Sequence, residues 1–272
     1  MSSRRPEWSW VGARATGTSH AREEKECDDA GACREVWTPS GPALVAVASD
    51  GAGSAPLSRF GSAIVARSFC RSASAYLRAG SRVDDIDEAV ARDWLDEMRD
   101  RIARRAQLGG QPARAFASTM VGVVVGLEAA VVVHVGDGAC ALRLAGETVW
   151  RVPSWPAQGE YAATTYFVTD DPEPRLSVVP VRGCVEEVAV FTDGMERLAL
   201  DFAAGAAFDR FFESVFPALR REPPGRRRRL SRDLHDFLDS APVTDRTDDD
   251  KTLLMARRVP VPERGIFNPV TA

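Results

Sequence analysis

Three apolar segments of this sequence each end in an Asp-Gly pair, and this shared ending constrains the fold more than any other feature. The segments are ALVAVASDG at 43–51, AAVVVHVGDG at 129–138 and EEVAVFTDG at 186–194. A fourth apolar segment, at 252–258, follows an acidic run at 248–250, with Lys251 between them. Short apolar runs of this kind predict buried strands. Strands that bring carboxylates to one rim of a sheet can build a hard-cation site, so the pattern favours metal-dependent hydrolysis.

An Asp-Gly pair is also a common two-residue hairpin turn, and the sequence separates the two interpretations only in part. At Asp137 a second alternating run, ACALRLAG, follows the pair at once, so a hairpin turn and a functional carboxylate both stay open there. After Asp50 and Asp193 the apolar residues take on helical spacing instead. A hairpin should lead into a strand, so Asp50 and Asp193 are poorly explained as turns.

Composition sets broad limits on what the chain can be. Its 272 residues suffice for one large domain, and 44% hydrophobic with 27% charged residues is ordinary for a globular protein. A net charge of -4 gives no reason to expect nucleic acid as a partner. The five cysteines match no zinc spacing, and neither a signal peptide nor a membrane helix is visible. We therefore expect a cytoplasmic protein with reduced thiols.

The periodicities predict an α+β protein with one domain over 8–258. Strands joined mostly by short turns imply antiparallel pairing, and the helices need apolar surfaces to cover. We therefore expect a four-layer α-β-β-α sandwich of two antiparallel sheets flanked by helices. A long irregular loop is predicted at 153–174, with Glu160, Tyr161, Thr164 and Thr165 as its ordered part, and an extended tail at 259–272. The remaining predictions are strands at 8–18, 43–49, 117–152 (several), 176–182, 187–192 and 252–258, helices at 56–79, 84–108, 195–220 and 226–239, and a polar connection at 19–35.

The acidic residues at the strand ends form the candidate metal site. Asp50, Asp193 and Asp249 are far apart in sequence but all lie next to predicted strands. If those ends converge, their oxygens suit Mn²⁺ or Mg²⁺, since no Cys/His cluster fits zinc. Two such ions about 4 Å apart could hold a bridging hydroxide and polarise a phosphoryl oxygen.

Six short motifs occur in an order and spacing that point to one family. They are CDDA at 27–30, SDGAGS at 49–54, ASTMVGVVV at 117–125, VGDG at 135–138, FTDG at 191–194 and DDKTLL at 249–254. Together they resemble the PPM-type (type 2C) metal-dependent protein serine/threonine phosphatases. The segments TSH at 18–20 and GEYAATTYFVT at 159–169 are similar to a bacterial subgroup often found beside protein kinases.

The resemblance implies a fold, a reaction and a set of metal ligands. The fold is the two-sheet sandwich, and the reaction is attack by a metal-bound hydroxide on phosphoserine or phosphothreonine, with two Mn²⁺ or Mg²⁺ ions. The ligands it implies are Asp50 bridging both ions, the Gly51 carbonyl, Asp193 and Asp249 directly, Asp28 or Asp29 through bound water, and Asp137 for a weaker third ion.

The sequence departs from the family pattern at two positions that concern the substrate. Many eukaryotic members carry a histidine directly after the first Asp-Gly as a proton donor, but here that residue is Ala52. Their phosphate-gripping arginine aligns near Glu24, with Arg22 close by. His20 could take over proton donation or phosphate contact, because histidine titrates near neutral pH. A histidine in a surface loop is the alternative.

Phosphorylated proteins are the expected partners, including a cognate Ser/Thr kinase or its substrates, with neither nucleic acid nor a membrane. A non-catalytic adaptor of the same fold that binds phosphoproteins is the alternative function. All direct metal positions are aspartates, which favours the enzyme. The run Arg226–Arg229 is predicted to be a solvated helix face, with a docking patch for a phosphorylated protein as the alternative.

Overall fold

Two five-stranded sheets stacked face to face form the centre of the molecule. The computed structural model describes residues 7–156 and 165–260. The strands are β1 (Trp8–Ala15), β2 (Ala30–Thr38), β3 (Gly41–Ser49), β4 (Met120–Val125), β5 (Ala129–Val135), β6 (Ala139–Leu144), β7 (Ser177–Arg182), β8 (Val185–Phe191), β9 (Leu200–Asp201), β10 (Ala206–Ala207), β11 (Gly225–Arg226) and β12 (Lys251–Arg258). The helices are α1 (Thr18–Arg22), α2 (Ser58–Arg78), α3 (Glu88–Leu108), α4 (Glu196–Ala199), α5 (Asp209–Arg220), α6 (Arg228–Leu238) and α7 (Ala241–Thr244).

The strand order explains how distant parts of the chain reach the same rim. One sheet runs β11-β1-β12-β8-β6 and the other β2-β3-β4-β5-β7, while β9 and β10 form a separate small hairpin. Neighbouring strands of the two large sheets pair antiparallel, except β1 with β11. The strands β3, β8 and β12, which border the predicted ligands, are therefore divided between the two sheets.

Three apolar layers hold the sandwich together. Along β3, Leu44 faces the other sheet, whereas Val45 packs under the long helices α2 and α3. Strands that are buried on both faces have continuous apolar sequences, which explains the apolar segments that were recognised in the sequence. Phe212 of α5 packs in the third layer, on the outer face of the other sheet. The predicted α-β-β-α architecture is confirmed.

Three predicted elements of secondary structure are wrong. The stretch at 19–35 is not only a connection, because it contains α1 and most of β2, whose partly exposed face carries polar residues that hide the strand pattern. The helix predicted near 195–220 is interrupted by the β9–β10 hairpin, so its long part begins at Asp209. The segment at 147–152 forms only a bridge between Arg151 and Leu142.

The structure also separates the two interpretations of Asp137 and corrects the prediction for the arginine run. Asp137 does not close a hairpin, because β5 and β6 belong to different sheets and the chain crosses between them at 136–138. The arginine run is not a single helix face. Arg226 lies in β11 with its guanidinium over the Trp10 ring, and α6 begins at Arg228. In the described ranges, no helix combines the length and the apolar character needed to cross a membrane.

Candidate metal centre

Three aspartates meet at the rim between the two sheets. Carboxylate oxygens of Asp50, Asp137 and Asp193 all lie within 4.8 Å of one another. Asp50 follows β3 of one sheet, Asp193 follows β8 of the other, and Asp137 sits where the chain crosses between the sheets. The site is therefore assembled from both sheets, at the ends of strands that the hydrophobic core fixes in place.

Close packing of the strand ends explains why glycine follows two of these aspartates. A Cβ atom on Gly51 would lie 2.7 Å from the carbonyl oxygen of Asp28, and one on Gly194 would overlap the carbonyl of Asp250. Real Cβ atoms do not approach other atoms so closely, so only glycine fits. The repeated Asp-Gly pair thus reflects backbone crowding around the site and not hairpin turns.

The side chains of the adjacent residues Asp28 and Asp29 lie in different environments. Asp29 is completely buried, and its Oδ2 accepts a 2.7 Å hydrogen bond from the Thr192 hydroxyl, next to Asp193. Asp28 is only partly buried, and its carboxylate accepts a 3.0 Å hydrogen bond from Ser58 at the start of α2. Asp29 therefore faces the aspartate cluster, whereas Asp28 connects it to the long helix.

Burial and mutual repulsion dominate the electrostatics of the cluster. Burial raises the pKa of Asp50 well above the usual range for a carboxyl, and the neighbouring charge of Asp29 raises it further. Burial likewise raises the pKa of Asp193, and Asp137 is the next cause. Carboxylates this close are stable as anions only when a cation compensates them.

Unsatisfied oxygens show that the residues fit a hard cation. Buried carboxylate oxygens of Asp29, Asp137, Asp193 and Glu196 have no hydrogen-bond donor within the described residues. Buried polar atoms normally have a partner, and Mn²⁺ or Mg²⁺ is a partner for carboxylate oxygens. The donor set therefore suits one or more divalent ions of this class.

Asp249 and Asp250 have separate roles although they are neighbours. The charge of Asp249 contributes to the raised pKa of Asp193, so Asp249 borders the cluster, but it lies outside the group of three. Asp250 instead accepts 2.6 Å hydrogen bonds from the backbone N–H groups of Gly17 and Asp28. Asp250 thus joins three chain segments around the site.

A family profile of protein phosphatase 2C matches residues 16–239. The chain belongs to the protein phosphatase 2C family. Serine/threonine-protein phosphatase 3 of Escherichia coli (strain K12) is 31% identical over 251 residues, which covers 92% of this chain and 98% of that protein. The family resemblance drawn from the sequence motifs is therefore confirmed, and with it the prediction of a protein serine/threonine phosphatase.

Solved structures agree with this phosphatase fold. PppA, a key regulatory component of T6SS in Pseudomonas aeruginosa, superimposes with a TM-score of 0.61 at 17% identity, covering 93% of this chain and 98% of that one. The serine/threonine phosphatase Stp1 of Staphylococcus aureus gives 0.56 at 15% identity, covering 94% and 99%. At these identities the likeness concerns the fold.

His20 of this phosphatase is held against the cluster and is not a free surface residue. Its Nδ1 lies 3.0 Å from Asp250 Oδ2, and only 13% of its side chain is exposed. With Nδ1–H donating to the carboxylate, Nε2 faces the loop after Asp50, where a Cβ on Gly53 would lie 3.9 Å away. The same Asp250 that joins the chain segments thus orients the imidazole.

Glu196 is a further carboxylate at the phosphatase site, and sequence reasoning missed it. It begins α4, three residues after Asp193, and burial with the nearby charge of Asp137 raises its pKa to about 8. Its Oε1 is buried without a donor. Its spacing of one helical turn from Asp193 was the signal that could have identified it.

The described part of the 153–174 loop contacts Asp137 directly. The Thr165 hydroxyl donates a 2.6 Å hydrogen bond to Asp137 Oδ2, and the Val168 N–H donates to the carbonyl of Ser118. Residues 157–164, including the predicted loop positions Glu160, Tyr161 and Thr164, lie outside the described residues. One side of the loop is therefore fixed to the third aspartate of the cluster.

Proposed function

We propose that the protein hydrolyses phosphoserine and phosphothreonine in other proteins, at a site that holds two Mn²⁺ or Mg²⁺ ions within a single domain over 8–258. The observation that carries the proposal is the set of buried carboxylate oxygens without donors around Asp50, Asp137 and Asp193. The residues proposed to hold the ions are Asp50, the Gly51 carbonyl, Asp193 and Asp249, with Asp28 or Asp29 acting through water and Asp137 serving a weaker third ion.

Residues of the chain itself would supply the other steps, namely orienting a carboxylate and donating a proton. When bound, the ions would supply an activated water and stabilise charge on the phosphoryl oxygens. Thr192 keeps Asp29 in a single orientation through its hydrogen bond. Asp250 holds the His20 ring so that Nε2 can protonate the departing serine or threonine oxygen.

The proposed setting is the cytoplasm, with a Ser/Thr kinase or its substrates as partners. All five cysteines are free thiols, as is usual in a reducing compartment. The Escherichia coli relative is named a serine/threonine-protein phosphatase, and the Pseudomonas aeruginosa structure is titled as a regulatory component. These names support a regulatory phosphatase acting on phosphorylated proteins.

The test combines turnover with metal binding. Asp50→Asn and Asp249→Asn should abolish manganese-dependent phosphate release from a phosphoserine peptide and weaken Mn²⁺ binding measured by calorimetry, while circular dichroism stays unchanged. Asp248→Asn is the matched control, since Asp248 is exposed and adjacent to the site. Wild-type turnover in either ligand variant would contradict the binuclear assignment, and phosphopeptide binding without any turnover in the wild type would favour the adaptor.

A further inference from the structure

A groove lined by arginines runs between α2 and α3 on the outside of the sandwich. Its volume is about 680 Å³. Arg67 and Arg71 project from α2 at a spacing of one turn, so both lie on one helix face. The facing side chains come from the last two turns of α3, and Ser68 with the apolar Ile64 and Leu108 completes the lining. The α3 arginines are Arg101, Arg104 and Arg105.

Most of this positive charge is not compensated within the protein. Arg101 pairs with Glu97, one turn before it on α3. The other four arginines are exposed and form no ion pair or side-chain hydrogen bond with any residue of 7–156 or 165–260. Asp100 is the other acidic residue on this stretch of α3. In a chain whose net charge is -4, so dense a basic groove is a local feature that needs its own explanation.

The residues that line the groove favour some anionic partners over others. Guanidinium groups bind carboxylates and phosphates with two parallel hydrogen bonds, so closely spaced arginines suit a chain of such groups. Single-stranded nucleic acid also needs aromatic surfaces on which bases stack, and none of the residues lining the groove is aromatic. A membrane-surface helix needs a broad apolar face, and here Ile64 and Leu108 are the apolar contribution.

The position of the groove links it to the metal centre. Helix α2 begins at Ser58, whose hydroxyl donates to Asp28 at the edge of the aspartate cluster. With a rise of 1.5 Å per residue, Arg67 and Arg71 lie about 14 and 20 Å further along α2. An extended peptide covers 20 Å in about six residues. A substrate could therefore place its phosphorylated residue at the metal centre and a separate segment in the groove.

We propose that the α2–α3 groove is a docking site for an acidic segment of the protein substrate, rich in Asp and Glu, separated from the phosphorylated residue by at least about six residues. Its contribution to catalysis rests on the proposed phosphatase function, but the binding of an acidic peptide does not. The groove would therefore add selectivity for a part of the substrate that lies outside the phosphorylated residue.

The binding experiment uses a fluorescein-labelled, unphosphorylated peptide with six consecutive Glu residues and measures anisotropy in low salt. The double variant Arg67→Glu/Arg104→Glu should bind it at least about tenfold more weakly than the wild type, which corresponds to about 1.4 kcal/mol. The matched control is Arg210→Glu/Arg221→Glu at the two ends of α5, where both arginines are exposed. It changes the net charge equally and should bind as the wild type does. Wild-type binding should also weaken as salt is raised.

The kinetic experiment compares two phosphoserine peptides, one short and one extended by the acidic segment. The groove variant should lose kcat/KM on the extended peptide and keep it on the short peptide and on p-nitrophenyl phosphate. Equal peptide binding by the groove variant and the α5 control would overturn the proposal. Tighter binding of a single-stranded oligonucleotide or of anionic vesicles than of the peptide would contradict the assignment of an acidic peptide as the ligand of the groove. Occupation of the groove by a second copy of the protein in sedimentation experiments would contradict it as well. If no peptide is hydrolysed but the binding difference holds, the docking site stands and the proposed catalytic function fails.

Discussion

Replacing Asp193 by asparagine should stabilise the metal-free protein while weakening its response to metal. Two carboxylates 4.8 Å apart repel by about 3 kcal/mol at an effective dielectric constant of 20, and Asp193 has two such neighbours, Asp50 and Asp137. Proton uptake relieves part of this repulsion. We therefore expect a gain of about 1–3 kcal/mol in the free energy of unfolding near pH 8, or roughly 2–4 °C in Tm for each kcal/mol.

The pH dependence follows from the direction of the pKa shift. The pKa of Asp193 is raised in the folded state, chiefly by burial, so its contribution to stability is present below the unfolded pKa near 4. That contribution is lost as the pH rises through the higher folded pKa. The metal-free wild type should therefore lose stability between pH 5 and pH 8, and Asp193→Asn should lose less of it.

The assay is thermal unfolding followed by circular dichroism, in EDTA and then in excess Mn²⁺, at pH 5 and pH 8. A ligand present at a hundredfold excess over its Kd adds about 2.7 kcal/mol to the stability of the wild type, and the variant should gain clearly less. Asp236→Asn on the exposed face of α6 serves as the control for loss of one charge. The reasoning is refuted if Asp193→Asn has no higher Tm than the wild type in EDTA at pH 8, or if the Tm difference is the same at both pH values.

Three further predictions concern residues with distinct environments. His20→Ala should slow hydrolysis of a phosphoserine peptide by about 10²–10⁴-fold but affect p-nitrophenyl phosphate little, because nitrophenolate leaves without a proton; a uniform loss would make His20 a positioning group. Asp137→Ala should lower turnover while calorimetry still detects two tightly bound Mn²⁺ ions, and unchanged kinetics would contradict the third-ion role. Glu187→Gln should destabilise the protein by about 1–3 kcal/mol in denaturant unfolding, because this buried carboxylate pairs with Arg143 and Arg220. Each arginine keeps a second carboxylate, Glu186 or Glu213, so an effect below about 0.5 kcal/mol would show that those pairs suffice.

Apolar runs buried on both faces could be recognised from the sequence because their composition is decisive. The ends of such runs identified Asp50 and Asp193, and the motif order identified the family. The edge strand β2 could not be recognised in the same way, since residues such as Arg34 and Glu35 lie on its partly exposed faces. Nor could periodicity show that β5 and β6 belong to different sheets, because strand pairing depends on contacts distant in sequence.

The family resemblance named Asp249 as a ligand, but sequence reasoning assigned no role to Asp250 beside it. Asp249 and Asp250 have the same chemistry, and what separates them is that the N–H groups of Gly17 and Asp28 approach Asp250 from distant segments. Glu196 resembles any acidic residue at the start of a helix until burial next to Asp137 is known. Each of these assignments depends on which atoms fold against a side chain, and a single sequence does not record that.

Because Asp50 and Asp193 belong to different sheets, the spacing between their carboxylates is set by the packing of the side chains between those sheets. Val123 and Val190 are among these side chains. A change in the volume of these side chains would shift one sheet relative to the other. The affinity of the site for an ion would then change, although the substituted side chains do not contact the ion. The ion in turn would resist sliding of the sheets, acting as a cross-link between the two halves of the protein. Ion affinity and the mechanical rigidity of the protein should therefore vary together. Variants selected for a change in one property should also show a change in the other.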